Sequence, residues 1–200
     1  YADALTQNDL SAFLAAIRAD GAAGYTIHPA GTRNAYAPIR YIEPFTGANI
    51  RALGFDMYAE PVRKTAMDQA RDSGDAVLSG KITLIQDESN LESQSGSLLY
   101  VPVFRHGLPT STLAERQAAL LGFVYAAFRI KDLMSEVLRS HAGDIDIEIF
   151  DGPNARRETL LFDGDATLHA GAQQYPTPLH SQQQITVAAR SWTLAFAAHP

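Results

Sequence analysis

Ile130-Lys-Asp-Leu-Met-Ser-Glu-Val-Leu-Arg139 and, a few residues on, Asp144-Ile-Asp-Ile-Glu-Ile149 decide the fold class. In the first segment Ile130, Leu133, Met134, Val137 and Leu138 recur at the spacing of one helix face. In the second, isoleucines alternate strictly with acids, so Ile145, Ile147 and Ile149 share one face of a strand. A helix period that gives way to a strand period across one short loop predicts a mixed chain.

The segments upstream read the same way. Leu120 to Phe128, Leu98 to Phe104, and a run from Val77 or Lys81 to Gln86 are strand candidates. The polar residues 87–97 form a hairpin-type loop, and His106 to Gln117 a longer connection. Pro61 suits the first position of a helix that Gly74 follows. Val62, Ala66 and Ala70 form its inner face; Glu60–Lys64 and Lys64–Asp68 are charge pairs on its outer face. Residues 25–60, punctuated by Pro29, Gly31, Pro38, Pro44, Gly47 and Gly54, predict strands at Ile39 to Ile42 and Ala52 to Phe55. Asn8 caps a first helix, Asp9 to Ala19, with Leu10, Phe13, Leu14 and Ile17 inward. Thr159 to Phe162, Ile185 to Ala189 and Trp192 to Phe196 are further strands. Neighbouring strands on short loops argue for antiparallel sheets and the α+β class. The order after Ile130 echoes the order after Pro61. This predicts an N-terminal helix region, 1–23, and two units, 24–129 and 130–200.

Composition narrows the function classes. Hydrophobic residues make up 46% of the 200 and charged residues 19%, enough apolar side chain for a sizeable core. The net charge of −6, with no basic cluster, argues against nucleic acid and against an anionic membrane surface as partners. The absence of cysteine removes disulfides, thiolate metal sites and cysteine nucleophiles. No apolar run reaches the roughly 20 residues of a bilayer span. The chain opens on Tyr1, not Met, which fits a segment of a longer protein whose membrane helices lie outside it.

Enzyme motifs fail one by one. Gly74 to Lys81 has the wrong glycine spacing for a phosphate loop, and Ile82 stands where Ser or Thr is needed. No G-x-S-x-G elbow occurs, and no two histidines lie four apart. Asp144, Asp146 and Glu148 offer oxygens to a hard cation, but a solvated strand face is the expected account. Asp163-Gly-Asp165 reads as a turn, and His28 as structural. Arg33 and Arg63 offer an anion a partner, with pairing between elements as the expected alternative. The chain is expected to be no enzyme, with no catalytic residue, cofactor or metal.

A set of ordered motifs identifies the class. Ile27-His-Pro-Ala-Gly-Thr-Arg33, Tyr36-Ala-Pro-Ile-Arg-Tyr-Ile-Glu-Pro-Phe45, Leu53-Gly-Phe-Asp-Met57, Glu60-Pro-Val-Arg63, Ala76-Val-Leu-Ser79, Leu99-Tyr-Val-Pro-Val-Phe104 and the stretch from Gly122 to Leu133 resemble the CHASE family. The final strand, with Arg190-Ser-Trp-Thr-Leu194, is similar to the end of that family. The resemblance implies an extracytoplasmic sensor held between two transmembrane helices, ahead of a histidine kinase, diguanylate cyclase or phosphodiesterase module. It implies two PAS-like subdomains behind a long N-terminal helix that pairs two copies as a homodimer. The membrane-distal subdomain would bind a small molecule, which in plant members is a cytokinin whose adenine edge an aspartate reads.

Carried over residue by residue, that aspartate is Asp56, in a Phe-Asp-Met context, and a backbone contact falls 22 positions later on Leu78. Tyr41 is a wall aromatic, Val101 replaces a strand aromatic, and Phe123 replaces a tyrosine. Tyr125 and Ala126 stand where the plant proteins have glycines, which reshapes the pocket and points away from cytokinin itself. From chemistry alone, Asp56 among Leu53, Phe55 and Met57 is either a ligand acceptor or a cap on the turn toward Pro61. Tyr41, Leu99, Val101, Phe123 and Tyr125 are either pocket lining or plain core. Gln86 is a water-linked contact or an exposed strand end. A small-molecule sensor is thus the leading expectation, and a ligand-free dimerisation module the alternative.

Overall fold

A computed structural model describes residues 1–85, 95–139, 145–166 and 180–198. In chain order, β1 (Ala2–Asp3) and β2 (Leu5–Thr6) lead into α1 (Leu10–Ala19), and β3 (Ala35–Tyr36) precedes α2 (Pro61–Ser73). Strands β4 (Val77–Leu78), β5 (Ile82–Thr83) and β6 (Ser95–Phe104) follow. Helix α3 (Leu113–Ala119), β7 (Leu120–Arg129) and α4 (Ile130–Leu138) run on without a break. Strands β8 (Ile145–Asp151), β9 (Leu160–Asp163), β10 (His180–Val187) and β11 (Arg190–Ala198) complete the order. The α+β class is as expected, with two larger antiparallel sheets: β1-β7-β6-β4, with β5 also on β6, and β10-β11-β8-β9.

Helix α2 shows why local sequence and packing must be read together. Pro61 opens it, and the Glu60 carboxylate accepts from Val62 N and Arg63 N, each at 2.9 Å. Glu60 is therefore a cap, not an outer-face partner of Lys64, which pairs with Asp68. The buried face is Arg63, Ala66, Met67 and Ala70, while Val62 is exposed, one residue away from the expected face. Arg63 fits there because its stem packs inward and its guanidinium carbon lies 5.0 Å from the centroid of the Phe55 ring.

Three further expectations change. The N-terminal segment is not helix alone: β1 pairs with β7 at the sheet edge, and Thr6 with Asp9, not Asn8, forms the capping box ahead of α1. Helix α3 lies where a plain connection was expected. Its start is a second capping box, with Glu115 N donating to Thr112 Oγ1 at 3.2 Å and Thr112 N to Glu115 Oε2 at 2.8 Å. Residues 39–42 and 52–55 form no strand, only single bridges such as Ala2–Ile39 and His28–Phe55, because Gly47–Ala52 winds as a 3-10 helix and the N–H groups on either side donate singly to several segments.

One core lies between α2 and the first sheet, built on Met57, Met67, Val77, Leu98, Tyr100 and Phe123. A second fills the space between the sheets, with Leu78, Ile130, Ile149, Leu161 and Trp192 against Leu99, Phe128 and Met134. Leu133 and Val137 of α4 remain exposed, so only part of its apolar stripe is used. On β8 the acid face is not solvated: Asp146 and Glu148 are both buried, and Ile145 is exposed. Asp144 lies outside the described residues.

A charge cluster joins the sheets. Arg190 donates to Asp151 through Nε at 2.6 Å and Nη2 at 2.7 Å, and Lys81 N donates to Asp151 Oδ2 at 2.8 Å. Beside it, a Cβ on Gly80 would fall 2.8 Å from Arg190 Nη2 and 3.0 Å from Asp151 Oδ2, so a side chain there would displace this pair. In addition, Leu78 N donates to Ala188 O at 2.9 Å.

Gly54 has φ +80°, and a Cβ there would lie 2.0 Å from Thr26 O. Gly54→Ala should cost at least about 1–3 kcal/mol, seen as a lower urea midpoint in equilibrium unfolding.

Candidate ligand-binding site

Alternation along β6 and β7 sorts the expected site residues. Tyr100 pairs across the strands with Tyr125, and Pro102 with Phe123, so Tyr100, Phe123 and Tyr125 share the inner face under α2. Leu99 and Val101 occupy the opposite face: Leu99 packs into the core between the sheets, and Val101 is 41% exposed. Neither side chain can line a pocket beside Tyr125. Leu78 also turns its side chain into the core between the sheets. Gln86 lies outside the described residues.

A cavity of about 540 Å³ opens on the inner face. Its wall is Tyr41, Ile42, Glu43 and Pro44 on one side and Leu84, Tyr125 and Ala127 on the other. The fold thus brings Tyr41 and Tyr125, distant in sequence, to one cavity. Tyr41 is 59% exposed, with Arg40 stacked 5.1 Å from its ring centroid. Phe123 is fully buried, edge-on to Tyr58 and Tyr100 at centroid distances of 6.4 and 6.3 Å. The apolar lining expected of Leu99 and Val101 comes instead from Leu84 and Ala127.

Asp56 is 0% exposed and does not border this cavity. Its Oδ1 accepts from Ala37 N at 2.7 Å and Tyr58 N at 3.1 Å, capping the turn Met57–Ala59. Its Oδ2 lies 3.2 Å from Arg33 Nη1 without hydrogen-bond alignment. Burial pushes this carboxyl above its ordinary value, against the Ala37 and Tyr58 N–H groups and Arg33. The carboxylate therefore holds three chain segments together: the Arg33 loop, Ala37 and the turn before α2.

Two groups weighed in the sequence take a different place in the fold. Arg63 is 3% exposed, with Nη2 donating to Thr83 O at 2.7 Å. The carboxylates of Asp146, Asp163 and Asp165 each bring an oxygen within 4.8 Å of the others. Asp163 and Asp165 stand in the expected turn, in which Asp165 N donates to Asp163 Oδ1 at 3.2 Å.

The family model described as the CHASE domain matches residues 1–162. The chain belongs to the CHASE domain family, a class of extracellular sensory domains of membrane receptors. It is 29% identical over 129 residues to hybrid signal transduction histidine kinase A of Dictyostelium discoideum, covering 62% of this chain and 6% of that protein. It is 26% identical over 166 residues to probable histidine kinase 4 of Oryza sativa subsp. japonica, covering 78% of this chain and 16% of that protein. The chain thus spans a small part of the curated relatives it matches.

Asp56→Ala should lower stability by about 1–3 kcal/mol, since it unpairs two buried N–H groups and leaves Arg33 without its partner. The raised pKa belongs to the folded state, so this group's pH-linked contribution is full below the ordinary carboxyl value and lost as pH rises through the folded value. Denaturation of both proteins across pH should show a larger penalty at acid than at neutral pH.

Proposed function

We propose that this chain is the extracytoplasmic, small-molecule-sensing domain of a membrane-bound signalling receptor. Its output would be a histidine kinase, as in the relatives, or a cyclic-di-GMP enzyme. In this reading residues 24–129 are a membrane-distal PAS-like subdomain and 130–200 a membrane-proximal one. The N-terminal helix region pairs two copies, and transmembrane helices outside the chain carry it. No helix among the described residues is long and apolar enough to cross a membrane.

The observation that carries the ligand reading is the cavity of about 540 Å³ between Tyr41 and Tyr125. That volume falls in the range of small-molecule sites, about 300–1,000 Å³, and aromatic walls with a few polar groups suit a flat ring. An aromatic or adenine-like molecule fits this chemistry. Phe123 and Asp56 support the site from within, and the backbone of Leu78 ties the first sheet to the Ala188 turn of the second. A ligand that favours one position of that link would shift the receptor by its differential affinity for the two states.

A ligand-free interaction module is the second reading. It is favoured by Val101 and Val124, cross-strand partners exposed on the outer face of the first sheet.

A thermal-shift series with adenine and small aromatic compounds decides between them. The sensor reading expects a rise of several degrees in Tm for at least one compound, because a ligand that binds only the folded state stabilises it. Tyr41→Ala, at an exposed position, should leave the unliganded Tm unchanged and remove most of that rise. No rise with any compound, together with a dimer in sedimentation, would establish the interaction module instead.

A further inference from the structure

Two side chains of opposite charge line the larger cavity from different elements: Glu43, in the wall that carries Tyr41, and Arg129, at the end of β7. Strand alternation places the second. Tyr125, Ala127 and Arg129 are successive inner-face positions of β7, so the Arg129 backbone lies about 13 Å along the strand from that of Tyr125. Only the methyl group of Ala127 stands between them, which leaves room along this wall. Gly96 pairs across the strands with Arg129, and a Cβ there would lie 2.8 Å from Leu84 Cγ. The glycine thus lets Leu84 close in on the same cavity.

The two charges keep capacity for a ligand. Glu43 is exposed, and its Oε2 accepts from Phe45 N at 3.3 Å, a long contact two residues away in the chain. The Arg129 side chain is 39% exposed, and its Nη1 lies 4.0 Å from Asp132 Oδ2 in the first turn of α4, beyond hydrogen-bond distance. A guanidinium has five N–H donors and a carboxylate several acceptor positions, so these contacts do not saturate either group.

Their chemistry selects a ligand class. A guanidinium only donates and holds a fixed positive charge, so it recognises a carboxylate; a carboxylate only accepts, so Glu43 recognises an ammonium. The rest of the wall is aromatic and apolar, from Tyr41, Tyr125, Leu84 and Ala127. A ligand with a single charge would bring it near a like charge of the cavity: an amine meets Arg129 as well as Glu43, and an acid meets Glu43 as well as Arg129. A ligand with both charges and a ring meets each group with its opposite. We infer that the ligand is an aromatic α-amino acid, its ring against Tyr41 and Tyr125, its ammonium toward Glu43 and its carboxylate toward Arg129. This rests on the sensory reading of the cavity and narrows it from aromatic or adenine-like molecules to zwitterions.

The test uses the whole chain with phenylalanine, tyrosine and tryptophan, by thermal shift and titration calorimetry. Phenethylamine, which lacks the carboxylate, 3-phenylpropionate, which lacks the amine, and adenine are the comparison compounds. At least one amino acid should raise Tm, and phenylalanine should bind at least about fivefold more tightly than either single-charge analogue, the scale of one contact between partly exposed charges. Glu43→Gln should close the gap between phenylalanine and 3-phenylpropionate, and Arg129→Gln the gap between phenylalanine and phenethylamine. Glu43 is exposed, so its variant should fold as the parent does; should Arg129→Gln fail to fold, Glu43→Gln still decides. Binding of an analogue as tight as that of phenylalanine, binding of adenine alone, or a gap that persists in its folded variant would overturn the amino-acid assignment and leave the sensor standing. No shift with any compound would overturn the sensor reading and this inference together.

Discussion

Strands β6 and β7 pair from Gly96 to Phe104, and successive side chains on each point to opposite faces. That alternation assigns every residue of the two strands to one of two environments. Tyr100, Phe123 and Tyr125 go beneath α2, where they close the first core, and Tyr125 also edges the cavity. Leu99 and Phe128 go to the other side, where the second sheet rests on them. The same ladder thus borders the cavity on one face and supports the second sheet on the other. A slip of one residue would exchange the two sets and destroy both.

Around this ladder the chain uses buried charge to tie distant segments. Asp56 joins the Arg33 loop, Ala37 and the entry to α2; Asp151 joins Arg190 of β11 to the backbone at Lys81. Breaking one partner of such a pair leaves an uncompensated charge, so these contacts specify geometry more than they add stability. Some buried polar atoms stay outside these ties: Asp3 Oδ2, Asp56 Oδ2, Arg63 Nε and the Tyr100 and Tyr125 hydroxyls have no hydrogen bond.

Legibility in the sequence followed how local each signal was. Helices α2 and α4 and strands β6 and β7 were readable, because Pro61, the period of residues 130–138 and the runs at 98–104 and 120–128 are local. Helix α3 was also written locally, in the Thr112–Glu115 box, and was missed because its seven residues carry a weak apolar period. Residues 39–55 misled because β-favouring residues there lie in or beside the 3-10 helix Gly47–Ala52 and pair only through isolated bridges. At the candidate site Tyr41 and Tyr125 could be named in advance, and the structure brings them to one cavity. Leu99 and Val101 could not be excluded, because an apolar strand residue looks the same on either face. Arg63 read as an anion partner or as a surface or inter-element pair, and nothing near it in sequence announces its burial.

The amino-acid order alone carried the family, the α+β class and the sequence of the long elements, because motif spacing and hydrophobic period are properties of short segments. Which face of each strand meets α2, which meets the second sheet, and which buried charges find partners depend on contacts between residues far apart in the chain. Asp56 shows the difference. Its type and neighbours marked it as a carboxylate that needs a partner. Only the approach of Ala37, Tyr58 and Arg33 determined what those partners are within the chain.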